Sequence, residues 1–191
     1  MANPDNILTF WFGSPDHPDY GKPRPAWFAK DPEFDQTLRR QFLDTYHQAA
    51  AGHLQTWQAS PTSALALILL LDQLPRNIFR QTPQAFATDP QALAVAEQMV
   101  GTGWDQALVP VQRWFVYLPF EHSESLADQR RAVQLFETLA WDPDSQSAVT
   151  YAHKHLAVIE RFGRFPHRNA ILGRFSTPEE LAFLQEPGSS F

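Results

Sequence analysis

Among the places where a residue with a short polar side chain stands directly before a proline, six read as helix starts: Asn3-Pro4, Asp31-Pro32, Ser60-Pro61, Thr82-Pro83, Asp89-Pro90 and Thr177-Pro178. Such a pair is a helix start. The Asn, Asp, Ser or Thr oxygen accepts a hydrogen bond from a backbone N–H that no helical carbonyl can reach. Proline at the first helical position brings the right φ and no unpaired donor. Thr177-Pro178-Glu179-Glu180 goes further, because Glu180 is placed to reach back to the N-cap amide as a capping box. Stops are read at Gly52, Gly101 and Gly163, each following a helical pattern.

Between these signals the apolar residues repeat with helical period. From Glu33 to Ala51, for example, Phe34, Leu38, Phe42 and Tyr46 fall on one face. The same reading predicts helices over 4–12, 61–73, 90–100, 111–118, 124–141, 146–162 and 178–186, with an irregular Pro-rich loop from Ser14 to Pro25. No alternating strand pattern appears. The expectation is therefore an all-α fold of about eight or nine helices, stacked as antiparallel hairpins in a tetratricopeptide-repeat-like way, within one domain over residues 1–191. No consensus repeat recurs at a fixed period, so any helical repeat here is a degenerate one.

Composition narrows the chemistry. There is no cysteine among the 191 residues, which excludes disulfides, thiolate nucleophiles and Cys-based metal sites and fits a reducing cytoplasm. The net charge of −6 argues against a nucleic-acid partner, which would need a basic face. The N-terminus has no basic stretch before an apolar one, so it does not read as a secretory signal. The longest apolar run, Ala64 to Leu71, falls far short of the roughly 18 residues of a membrane span. A buried helix accounts for it, and Asp72 ends it.

Against this regular background four polar segments stand out. Arg161–Arg174 (RFGRFPHRNAILGR) gathers Arg164, His167, Arg168 and Asn169 around a Gly163 turn and a stiff Pro166. Its guanidinium forks suit a carboxylate or phosphate, or else they cap helix ends and pair with surface acids. Leu71–Asn77 places Asp72 at the end of the apolar run, where burial demands a cationic partner such as Arg76. Asn77 follows, and the Pro75-Arg76-Asn77 order is echoed at Pro166–Asn169. Leu118–Glu124 offers Glu121, His122 and Glu124 as an acid–base set. The plainer reading is a helix start capped by Ser123, with acids at the positive dipole end. His155 lies within the apolar arc of the 146–162 helix, as a proton carrier or as a hydrogen-bonded core residue.

These segments, with Leu8–Gly13 and Trp27-Phe28, stand in the order seen in the bacterial domain-of-unknown-function family numbered 924, which the chain resembles from about Ile7 to Leu184. Leu74 departs from the pattern, standing where Phe is common. The resemblance implies an all-α, tetratricopeptide-like fold and brings no activity, substrate or cofactor. It does weight the polar segments toward a shared cleft.

Two functional readings suit these segments, beside a third in which the chain is a fold-maintaining scaffold with no ligand. In the first, a binding module holds an anionic small molecule or an acidic peptide through Asp72, Arg76, Asn77, Arg164, Arg168 and Asn169, with no metal and no cofactor. In the second, an enzyme such as a hydrolase moves protons through His122, Glu124, His155 or His167 while the arginines stabilise negative charge. Both require Asp72, Arg76, Glu124, His155 and Arg168 to surround one pocket.

Overall fold

The computed structural model describes residues 2–189. Its α-helices are α1 (Pro4–Phe12), α2 (Pro32–Ala50), α3 (Pro61–Ile68), α4 (Leu74–Ile78), α5 (Asp89–Gly101), α6 (Pro110–His122), α7 (Leu126–Glu137), α8 (Gln146–Phe162) and α9 (Pro178–Phe183). Among the described residues there is no strand. Four of the six polar–proline pairs act as anticipated: the side chains of Asn3, Asp31, Ser60 and Thr177 each accept from a first-turn N–H, and Thr177 with Glu180 closes the capping box. The other two differ in detail. Thr82-Pro83 opens only a short 3-10 turn, and α5 begins at Asp89 itself, one residue earlier than expected.

The apolar run forms the centre of the molecule. Leu65, Ile68, Leu69 and Leu70 have no exposed surface, and each contributes about 1.5–3 kcal/mol by leaving water. α3 is enclosed by α1, α5 and α6, while α2 packs on α4. Consecutive helices are neighbours through α5, α6, α7 and α8, as hairpins demand; α1 on α3 and α2 on α4 skip an element. The loop before Trp27 ties α1 down: Arg24 Nη1 donates to the carbonyls of Phe10 and Trp11 at 2.8 and 2.7 Å, and Trp27 Nε1 donates to Trp11 at 2.9 Å. Carbonyls that a helix C-terminus would leave without partners are thereby satisfied.

The chain departs from regular helix in two places. Between α3 and α4 it makes one π-helical turn, Leu69–Gln73, so 61–78 runs as a single rod with a wide turn in it. Pro75 explains the disturbance. In an α-helix its N–H would serve the Leu71 carbonyl, and proline has none to give. The Thr88 hydroxyl donates to that carbonyl instead, at 2.5 Å.

The second departure corrects the expected end of the helix at 118. α6 continues through Pro119 to His122. A proline inside a helix costs about 3 kcal/mol, but Leu118, Phe120 and Glu121 beside it are all buried, and burying two large apolar side chains outweighs that cost. Glu121 is therefore in the last turn of a helix, not at a helix start. The next N-cap is Ser125, whose Oγ accepts from the Asp128 N–H, while Ser123 Oγ donates to the Asp128 carboxylate. Glu121 and Glu124 therefore do not lie on one helix.

Candidate functional site

The π-turn with α4, the C-terminal end of α6, α8 and the turn after α8 enclose a cavity of about 730 Å³. A wide turn offsets the side chains beyond it from the plain helical register, and such turns recur at functional sites. Here it sets Asp72 against the end of α6. The Asp72 carboxylate is fully buried and makes three contacts: His122 Nδ1 at 2.7 Å and Arg76 Nη1 at 3.2 Å, both to Oδ1, and Gln73 Nε2 at 2.6 Å to Oδ2. Burial alone would raise its pKa, but the charge of Arg76 and the interaction with His122 outweigh that effect and hold it well below the usual carboxylate range. Asp72 is thus ionised and accepts only. The proton shared with His122 then sits on the imidazole Nδ1, which leaves Nε2 with its lone pair. Burial and the neighbouring Arg76 lower the His122 pKa, against the pull of Asp72 and Asp89, and keep the ring neutral at pH 7.

A second carboxylate–histidine pair lies beside the first. His155 Nδ1 stands 3.0 Å from Glu121 Oε1 and 2.9 Å from the Tyr151 carbonyl, both acceptors, so its proton is also on Nδ1. Glu121 Oε2 is buried and has no hydrogen-bond partner among the described residues.

The arginines divide sharply. Arg76 gives both ends of its fork to Asp89, at 2.8 and 2.9 Å, and a further bond to the Asp72 carbonyl. Arg164 spends its fork on Glu180, at 2.7 and 2.8 Å. Arg80 holds Asp35, which also accepts from Asn77 Nδ2 at 2.8 Å. Arg168 is different. Its residue is only 7% exposed, its guanidinium carbon lies 4.6 Å from the ring centroids of both Phe86 and Phe165, and its ion-pair partner Asp89 stands back at 3.6 Å. Its Nε has no hydrogen-bond partner among the described residues. Burial, reinforced by Arg76, pushes its pKa down to about 10. His167, next to it, falls to about 3 through burial and the Arg168 and His155 charges.

Of the residues expected around one pocket, Arg76, His155 and Arg168 line the cavity, and so do Asn77, His122 and His167. Asp72 is one step behind the wall, reaching the cavity through Arg76 and His122. Three residues lie elsewhere. Glu124 accepts the Phe165 N–H at 2.8 Å and clasps Arg174 at 2.7 and 2.9 Å, fixing the turn that carries Arg168. Asn169 donates to Ser176 and Glu180, and Arg164 pins α9 through Glu180. These three are placed as struts of the C-terminal segment: Arg164 and Asn169 meet Glu180, and Glu124 meets Arg174.

Sequence reasoning missed part of the wall. Trp27, Phe28, Phe86, Trp114 and Tyr151 make it largely aromatic, and Lys30 adds a cation. Periodicity assigns such residues to a core and cannot show which of them face a void. Gln81 also lines the cavity and has φ 61, a left-handed conformation unusual for a side-chain-bearing residue. Asp89 was legible only as a helix start. Among the described residues no group of three or more His, Asp or Glu is placed to hold a metal ion.

A family model described as "Bacterial protein of unknown function", numbered 924, matches residues 7–188. The chain belongs to this family. A solved structure from Agrobacterium tumefaciens, titled as a protein of unknown function, is 42% identical, covers 95% of this chain and 96% of its own, and superposes with a TM-score of 0.84. No curated protein matches the chain. The family's match spans both sides of the cavity, from the Trp11 and Trp27 region to the Arg168 turn. No helix among the described residues is long and apolar enough to cross a membrane.

Proposed function

We propose that the cleft binds a small organic anion, a carboxylate on an apolar or aromatic body, and that Arg168 is the residue that grips the carboxylate. One observation carries this reading. A buried guanidinium is costly unless its donors are used, and Arg168 is held between two phenyl rings with Nε unbonded and Asp89 at 3.6 Å, beyond a direct hydrogen bond. A planar carboxylate would take two of its donors at once. The aromatic wall supplies the apolar contact, and about 730 Å³ is the size of a small-molecule site. A small molecule suits a cleft of this volume better than a peptide does. A tetratricopeptide-like stack would supply the concave face, and a cytoplasmic setting accords with a chain free of cysteine.

The test is a thermal-shift comparison of wild type and Arg168→Lys against benzoate, phenylacetate, octanoate and inorganic phosphate. A ligand at a hundred times its Kd adds about 2.7 kcal/mol, or roughly 5–11 °C for a chain of this size. Lysine keeps the charge but not the fork. The reading expects a carboxylate to shift wild type and to lose most of its effect on the lysine variant, with similar unliganded melting points. Equal shifts in both proteins, or none in either, would overturn it.

A further inference from the structure

We infer that the cleft is hydrolytic: His122 Nε2 acts as a general base that activates water against an ester bond of the anion held by Arg168. The inference rests on the Arg168 reading and goes beyond it. Its basis is the arrangement at the end of α6. Asp72, buried and ionised, fixes the His122 proton on Nδ1 at 2.7 Å. The opposite ring nitrogen receives no hydrogen bond from any described residue, although the ring forms part of the cavity wall with Arg76 and Arg168. Asp72 has partners besides His122, with Arg76 Nη1 at 3.2 Å and Gln73 Nε2 donating at 2.6 Å. A histidine oriented by a buried carboxylate, with its lone pair on a cavity wall, is a proton acceptor placed to work.

The step balances with water as the only co-reactant. Water gives a proton to His122 Nε2 while its oxygen bonds to the ester carbonyl carbon, and the carbonyl electron pair moves onto oxygen. As the carbonyl re-forms, the carbon–oxygen bond to the alkoxide breaks, and the alkoxide takes the proton back from Nε2. The products are an acid and an alcohol. A single shuttling proton suits an alkoxide leaving group. Asp72 is a positioning residue: it sets the tautomer without touching substrate.

The experiment uses the p-nitrophenyl hemiester of adipic acid as substrate and the unreactive adipic monoanilide as binding probe. Wild type is expected to bind the monoanilide and to release nitrophenolate saturably. His122→Gln should bind the monoanilide within about threefold and turn over about 10²–10⁴-fold more slowly. The wild-type rate should also be level from pH 8 to about 6.5, the ordinary histidine pKa, and fall only below it. The groups facing His122 are Asp72, Asp89 and Arg76, and burial with Arg76 sets the direction. Binding without turnover, or equal turnover by His122→Gln, overturns the inference and leaves the Arg168 reading standing. Absence of binding overturns both. Should His122→Gln not fold, the wild-type profile decides, and a rate with no acid limb overturns the assignment.

Discussion

Replacing Thr88 by valine removes one hydroxyl and almost no volume, and it should be among the more costly isosteric changes in the protein. Thr88 is buried, and its Oγ1 donates at 2.5 Å to the Leu71 carbonyl, which Pro75 cannot serve. Leaving a buried acceptor without a donor costs about 1–3 kcal/mol. The extra methyl group recovers at most about 0.8 kcal/mol by leaving water. With the full recovery the net loss is about 0.2–2 kcal/mol, read as a fall of up to roughly 8 °C in melting temperature for a chain of this length. Position adds a functional consequence. Leu71 precedes Asp72, and Thr88 precedes Asp89, which holds Arg76 by two hydrogen bonds. Loosening the bond between them should therefore weaken ligand binding at a cleft that valine never touches. Urea unfolding with an unchanged m-value, followed by calorimetry with the best carboxylate, measures both effects. A valine variant as stable as wild type, or more stable, would refute the idea that Thr88 substitutes for the missing proline donor.

Three further outcomes are expected. Gly163→Ala should cost about 1 kcal/mol by denaturant unfolding, since φ there is 68 and no atom lies within 4 Å of the added methyl, so the cost is conformational alone. Acid should destabilise the protein steadily between about pH 6.5 and 2: His167 at about 3 and Glu180 at about 2, with His122, Asp72 and Glu124 shifted the same way, bind fewer protons folded than unfolded. A melting temperature that holds level over that range would contradict these shifts. Asp89→Asn should lower stability by roughly 1–3 kcal/mol, the worth of its charged hydrogen bonds to Arg76, yet tighten carboxylate binding, because Asp89 is the anion nearest to Arg168 at 3.6 Å; weaker binding would show that Arg168 needs Asp89 rather than competes with it.

Helix starts were legible because capping is local chemistry: Asn3, Asp31, Ser60 and Thr177 need only their own first turn. The end of α6 was not, because burial across the molecule decides whether a helix survives Pro119. The same division runs through the site. Asp72 with Arg76 could be read from one segment, since burial of a carboxylate demands a cation four residues on. His122 and Glu121 found their partners, Asp72 and His155, across about half a helix bundle, and no spacing announces such a pairing. Arg164 and Arg168 look alike in sequence. Only the fold shows that Glu180 occupies one, while the other is set between Phe86 and Phe165, residues a pattern reading assigns to turns and core. Glu124 and Asn169, whose segments flag the cleft, bond Phe165, Arg174 and Glu180 beside it.

Whether Arg168 takes a carboxylate is tested most directly by a crystal structure with 4-bromobenzoate, because bromine is located by its anomalous signal. The account predicts the carboxylate oxygens at about 2.7–3.2 Å from the Arg168 guanidinium, with the bromophenyl ring against the aromatic wall near Phe28 and Tyr151. Bromine sites only outside the cavity, with Arg168 drawn onto Asp89, would contradict it.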